Sequence, residues 1–303
     1  MSFEPAVKWV GSKRLQAKGI VSRFPSEIDT YFEPFCGGCS VLYRLLQTNS
    51  VKVKRYVACD LNGDLIALWN EIKQNPDRLC TEYNRMWETF NFHDDSNDRF
   101  TCYSERKDYF YYIRDRLNKE HRPSDFLFIM RTTTNGMPRY NDKGEFNNSC
   151  HFSRPGILPY RLREICRDWS ALLNMKGVEF RNCPYEDVSP SDGDLTYLDP
   201  PYANTKGMYY GGIDLSSYFD WLSRLKGRWV MSFDGRRGDT DNTYVVPQEL
   251  YSEHDYLKSG NSSFERYLGK GNVEEVQESL YLNYIPTVRQ TEPQICTVQM
   301  SLF

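Results

Sequence analysis

Short apolar runs alternate with longer amphipathic stretches along this chain, the pattern of strands and helices taking turns. After a stretch from Arg14 to Phe24 with helical periodicity, Thr30 to Phe35 reads as a strand. It runs into Cys36-Gly37-Gly38-Cys39-Ser40, a glycine-rich turn, and Val41 to Leu46 then carries helical spacing. Tyr56 to Asp60 reads as a second strand ending in an acid, and Leu65 to Asn75 as a helix punctuated by Pro76. From Pro76 to His121 the pattern is polar, aromatic and mostly helical, with Tyr109, Phe110, Tyr111, Tyr112 and Ile113 expected to pack together. Tyr140 and Phe146 flank Asn-Asp-Lys-Gly, a strong turn signal that predicts a β-hairpin. A helix is predicted over Pro159–Leu173, a strand at Val178–Phe180, and a short turn at Tyr185–Val188. Leu195 to Leu198 reads as a short buried strand, Asp214 as the cap of a helix to Leu225, and Trp229–Phe233 and Glu278–Tyr284 as further strands. Residues 203–212 read as a mobile loop over the site, and Tyr256–Gly271, polar and glycine-rich, as irregular chain. No internal repeat is visible. Strands alternating with helices predict an α/β fold.

The strand at Leu195–Leu198 ends in Asp199-Pro200-Pro201-Tyr202. Two prolines cannot continue a ladder, so the chain stops at the strand's C-terminal edge, where open α/β sheets bind ligands. A carboxylate, a carbonyl and an aromatic ring are then fixed there, a set that suits a planar amine. Glycines after the first strand let a ligand approach the backbone at a helix N-terminus, and Asp60 stands where nucleotide-binding folds hold a ribose hydroxyl pair. The turn lacks Gly-x-Gly-x-x-Gly, so an adenosine ligand without a pyrophosphate fits better than a dinucleotide. Lys8-Trp9-Val10-Gly11-Ser12-Lys13 sets two lysines beside a helix start, a place for a carboxylate or phosphate.

At 303 residues, 26% charged and 40% hydrophobic, the composition suits a globular protein of one large domain or a core with an insertion. No apolar run reaches the roughly 18 residues of a membrane span, and no signal-peptide pattern opens the chain. Nine scattered cysteines read as reduced thiols of a cytoplasmic protein, and Cys36-x-x-Cys39, with no second pair or histidine cluster, gives no metal site. The net charge of −3 alone argues weakly against nucleic acid. Its distribution argues the other way: residues 131–167 hold seven Lys/Arg against three Asp/Glu, and residues 239–279 nine acids against three bases. One basic face can meet phosphates on a nearly neutral protein.

Lys-Trp-x-Gly-x-Lys, the Phe-x-Gly turn, the acid after the second strand, Arg139-Tyr140-Asn141 and Asp-Pro-Pro-Tyr stand here in one order. Together, over roughly residues 5–285, they resemble the Dam-type (D12 class) DNA adenine-N6 methyltransferases. The resemblance implies a Rossmann-like methyltransferase sheet of seven mixed strands with an inserted, mostly helical DNA-recognition domain carrying the hairpin. That divides the chain into a catalytic core of 1–75 and 170–285, an insertion of 76–169, and a flexible tail of 286–303. It implies S-adenosylmethionine as cofactor, held by Trp9, Lys13, Phe35, Gly37, Asp60, Tyr185 and Asp199. Lys13 would lie near the methionine carboxylate and Tyr185 beside the adenine. Asp199, Pro200 and Tyr202 would hold a target adenine flipped out of double-stranded DNA. Arg139 would read guanine, as in members recognising GATC, with Asn135 and Asn141 beside it and Arg131 and Arg154 on phosphates. Cytosine-N4 transfer, a non-catalytic DNA-binding relative and a nicotinamide dehydrogenase are the competing readings. Two departures from the family pattern stand out. Phe35-Cys36-Gly37-Gly38-Cys39 replaces Phe-x-Gly-x-Gly, which shifts the expected backbone freedom to Gly38. Phe146-Asn147-Asn148-Ser149 lacks the usual proline. The last five residues, Gln299-Met300-Ser301-Leu302-Phe303, resemble the motif by which bacterial proteins bind the replication sliding clamp. Gln299, Leu302 and Phe303 would make that contact and place the protein at the nucleoid.

Overall fold

The computed structural model of the chain describes residues 4–92, 103–133, 138–151, 154–201, 213–237, 240–241, 243–262 and 274–287. Its centre is a sheet built from β1 (Glu27–Glu33), β2 (Lys52–Asp60), β3 (Glu179–Asn182), β4 (Leu195–Leu198), β5 (Arg228–Arg237), β6 (Thr240–Asp241), β7 (Glu253–Ser262) and β8 (Glu274–Leu282). The order is β3-β2-β1-β4-β5-β8-β7, with the two-residue β6 beside β5. β1 to β5 run parallel, and β8 enters antiparallel between β5 and β7. The seven-stranded mixed sheet expected from the resemblance is present, with β6 as a small addition.

The topology fixes the site. From β1 the chain steps outward to β2 and β3, then returns to the other side of β1 as β4 and β5. The winding therefore reverses between β1 and β4, and the crevice at the C-terminal ends of those strands is where such sheets bind ligands. All four residues of β4 are buried, as its unbroken apolar run requires of a strand covered on both faces.

Helices cover both faces. On one, α2 (Ser40–Gln47), α3 (Gly63–Gln74) and α7 (Pro159–Met175) pack aromatics against the sheet. Trp69 lies 4.7 Å from Trp169 and stacks on Phe180 of β3 at 5.7 Å between ring centroids. On the other face α8 (Leu215–Arg224) sets Tyr218 and Leu222 against Trp229, Met231 and Phe233 of β5. Local signals start these helices. Asn62 Oδ1 accepts from the Leu65 N–H and Asp214 Oδ1 from the Ser217 N–H, while Pro76, Pro123 and Pro159 open α4 (Pro76–Asn91), α6 (Pro123–Thr132) and α7. α5 (Tyr103–Glu120) packs with α4 and α6, and α4 and α6 pack on α3 or α7. Phe90, Phe110, Phe126 and Phe128 of these helices belong to the same apolar cluster as Leu42, Trp69 and Leu195.

Two expectations change. The first helix, α1, is Ala17–Ser22, shorter than the pattern over Arg14–Phe24. Part of Tyr256–Gly271 is strand, because β7 pairs along β8 from Glu253–Leu282 to Ser262–Glu274, and backbone pairing outweighs a polar composition. His254 stacks on its cross-strand partner Tyr281 at 4.2 Å. The hairpin predicted at Tyr140–Phe146 is present, closed by an antiparallel bridge between those two residues and by backbone bonds from Asn141 N–H to Glu145 C=O and from Asn147 N–H to Arg139 C=O.

Candidate active site

The C-terminal ends of β1, β2 and β4 open into one cavity of about 250 Å³. Its walls include Trp9, Lys13, Glu33, Phe35, Gly37, Asp60, Tyr185, Asp199 and Pro200, so every cofactor residue expected from the sequence lines it. Asn62, Pro138 and Glu186 join them.

The turn after β1 is held by its neighbours. Gly37 has φ +45°, and its N–H donates to Asp60 Oδ2 at 3.0 Å. Its carbonyl accepts from the Trp69 indole at 2.9 Å, and a Cβ at this position would lie 2.8 Å from Trp9 Nε1. Only glycine tolerates both the left-handed backbone and that closeness. The freedom expected at Gly38 is instead taken by Cys39, which caps α2 at φ 54°, the position of the second glycine of the family pattern. The Cys39 thiol is buried, which pushes its pKa up to about 11. It is therefore a poor nucleophile at neutral pH.

Asp60 accepts one backbone N–H on each oxygen, Gly37 on Oδ2 and Asn62 on Oδ1 (2.9 Å). Burial raises its pKa to about 6 against those donors. Each oxygen keeps acceptor capacity toward the cavity. Glu33 is wholly enclosed. Burial raises it to about 8, the Tyr31 hydroxyl donating at 2.6 Å opposes the rise, and the Asp199 charge adds to it. Phe35 and Tyr185 face each other at 5.5 Å, with Tyr218 and Trp221 behind Tyr185.

Asp199 sits one residue past β4. Its Oδ1 accepts from Lys13 Nζ at 2.9 Å and from Ser232 Oγ at 2.9 Å. Lys13 is buried and also lies 3.5 Å from Glu278. Tyr202 and Asn135 lie outside the described residues, as do Gln299, Leu302 and Phe303.

The four basic and polar side chains expected on DNA separate. Arg139 is exposed beside the hairpin turn, and among the described residues its guanidinium has no hydrogen-bond or ion-pair partner. Asn141 is consumed within the turn: Oδ1 accepts from the N–H groups of Lys143 and Glu145, and Nδ2 donates to Glu145. Arg131 turns inward and donates to the carbonyls of Pro5 and Ala6, so it pins the N-terminal segment instead of facing a phosphate. Arg154 instead belongs to a cationic group with Lys8, Arg106 and His151. Burial, together with the charges of Arg154 and Arg131, lowers Lys8 to about 8. Burial and the charges of Arg154, Lys8 and Arg106 hold His151 below its ordinary value. The sequence motif contained Lys8 but did not reveal this company, because Arg106 and Arg154 reach it only through the fold.

The family model for the D12 class of N6 adenine-specific DNA methyltransferases matches residues 9–220, more than half of the chain. The chain belongs to that class. It is 30% identical over 215 residues to a type II methyltransferase of Methanocaldococcus jannaschii, M.MjaIII, covering 67% of this chain and 70% of that protein. It is 30% identical over 210 residues to a DNA adenine methylase of Haemophilus influenzae, covering 67% and 65%. To the type II methyltransferase M1.LlaDCHI of Lactococcus lactis it is 26% identical over 213 residues, covering 67% and 66%. In this adenine-specific DNA methyltransferase the matched stretch carries the cavity from Trp9 through Pro201, together with the hairpin. Among the described residues no helix is long and apolar enough to cross a membrane.

Proposed function

We propose that the protein transfers a methyl group from S-adenosylmethionine to the N6 amine of adenine in double-stranded DNA, at GATC or a related short site. The observation that carries this is the placement of Asp199 at the switch point of the sheet, on the wall of the cavity that Asp60 and Gly37 also line.

The cavity fits the cofactor. Asp60, Glu186 and Asp199 outnumber Lys13 there, which suits a ligand carrying sulfonium and ammonium charges. The two oxygens of Asp60 suit a pair of vicinal hydroxyls, and Phe35 with Tyr185 a flat base. S-adenosylmethionine, when bound, supplies an electrophilic methyl on sulfur. The chain's own residues do the positioning. Asp199 and the Pro200 carbonyl accept the two N–H bonds of the amine, which turns the nitrogen lone pair toward the cavity. As the N–C bond forms, the methyl–sulfur bond would break with its electron pair leaving on the sulfur, and Asp199 would hold the proton that the amine releases. Orientation and electrostatics of this kind carry the step without a covalent enzyme intermediate.

Residues 76–169 serve as the DNA-recognition part. Arg139, exposed at the hairpin, offers a fork for guanine O6 and N7, and the Lys8–Arg106–Arg154 group meets phosphates. Incubation with duplex DNA and S-adenosylmethionine, followed by mass analysis of nucleosides, tests the reading. N6-methyladenine is expected from the wild type and none from a folded Asp199→Ala variant. N4-methylcytosine, or undiminished transfer by the variant, overturns it.

A further inference from the structure

Resting on that reading of Asp199, we infer that Ser232 and Tyr197 are positioning residues that fix its carboxylate through a one-way chain of hydroxyl protons. Tyr197 lies two residues before Asp199 on β4, and Ser232 on the neighbouring β5, one residue beyond the Leu198–Met231 pair. Ser232 Oγ is 2.9 Å from Asp199 Oδ1, and the Tyr197 hydroxyl is 2.8 Å from Ser232 Oγ. Both residues are 1% exposed, so neither hydroxyl is supplied by bulk water.

The direction of the protons follows from counting. An ionised carboxylate only accepts, so the single hydroxyl proton of Ser232 goes to Asp199 Oδ1. Ser232 Oγ then has only lone pairs left for its other neighbour, and Tyr197 must donate to it. The chain runs Tyr197 O–H to Ser232 O–H to Asp199. Lys13 Nζ donates to the same oxygen at 2.9 Å. Oδ1 is therefore occupied, and among the described residues no donor reaches Oδ2. That leaves one oxygen of known orientation for the amine. The Leu198 carbonyl, 3.5 Å from Ser232 Oγ, is the weaker competitor for the serine proton.

A serine and a tyrosine on adjacent buried strands fill space as well as they orient a carboxylate, so the test must separate stability from rate. Single-turnover methyl transfer is measured at saturating S-adenosylmethionine and duplex DNA. DNA affinity is read with 2-aminopurine at the target position, and unfolding with urea. Ser232→Ala is expected to slow transfer about 10- to 100-fold, the range for loss of one buried donor to a charge. DNA and cofactor affinity are expected to stay unchanged. Tyr197→Phe is expected to slow transfer about 3- to 10-fold, because it acts only through Ser232. The double variant is decisive. It leaves no orphaned tyrosine hydroxyl, so its stability is expected to recover relative to Ser232→Ala while its rate stays at the Ser232→Ala value. Ser232→Thr is expected to restore the rate. A wild-type rate in Ser232→Ala, or multiplicative losses in the double variant, overturns the inference. Absence of N6-methyladenine with the wild type overturns the proposed function itself, a result distinct from either.

Discussion

The carboxyl of Glu33 gives the sharpest quantitative test of the cavity. It ends β1, is 2% exposed, and accepts the Tyr31 hydroxyl and the Leu42 backbone N–H. Burial dominates and raises it from 4.5 to about 8. A carboxyl whose folded value lies above its unfolded one favours the fold while protonated. Its contribution is complete below pH 4.5 and lost as the pH passes about 8. At about 1.4 kcal/mol per unit the whole rise corresponds to roughly 5 kcal/mol, a large part of the stability of an ordinary domain. Glu33→Gln removes the titration while keeping the shape and an acceptor for Tyr31. Urea unfolding of both proteins between pH 4.5 and 9 reads the difference, in which the other titrating groups largely cancel. Relative to the variant, the wild type is expected to lose stability steadily from pH 4.5 to about 8 and to level off above. A flat difference across that window would refute the burial argument. A difference rising with pH would mean that the hydrogen bonds from Tyr31 and Leu42, rather than desolvation, govern the group.

Gly37→Ala adds a Cβ against Trp9 at φ +45° and is expected to weaken S-adenosylmethionine binding by about 1–3 kcal/mol, read by calorimetry; unchanged affinity would refute the close approach. Arg139→Ala is expected to cost about 1–3 kcal/mol at one base position in a panel of substituted duplexes, whereas uniform loss would make it a phosphate contact. If the last five residues dock on a replication clamp, deleting residues 299–303 is expected to leave activity on short oligonucleotides unchanged and to abolish binding to the purified clamp; equal binding by both forms, or binding by neither, refutes the clamp reading.

Much of this molecule was legible before any coordinates. β1, β2, β4 and β5, the helices α3, α7 and α8, and the cap at Asp214 follow from apolar spacing, prolines and short polar side chains, all of them local effects within a few residues. That Gly37, Asp60 and Asp199 share one cavity was legible for the same reason, because they stand at strand ends and a parallel sheet brings strand ends together. Where a partner distant in sequence decides, the sequence is silent. β7 is a strand because β8 pairs with it, against its own polar composition. Arg131 and Asn141 look like DNA contacts, the first to a phosphate, until the fold supplies the Pro5 and Ala6 carbonyls to one and the hairpin's own backbone to the other. Cys39 adopts the left-handed turn that a glycine was expected to need, because the surrounding turn and α2 fix its backbone. The Ser232 hydroxyl gains its meaning only from standing 2.9 Å from Asp199, 33 positions earlier in the chain. Spacing along a chain sets which way a side chain leaves its own strand or helix, while only packing between elements sets what it meets there.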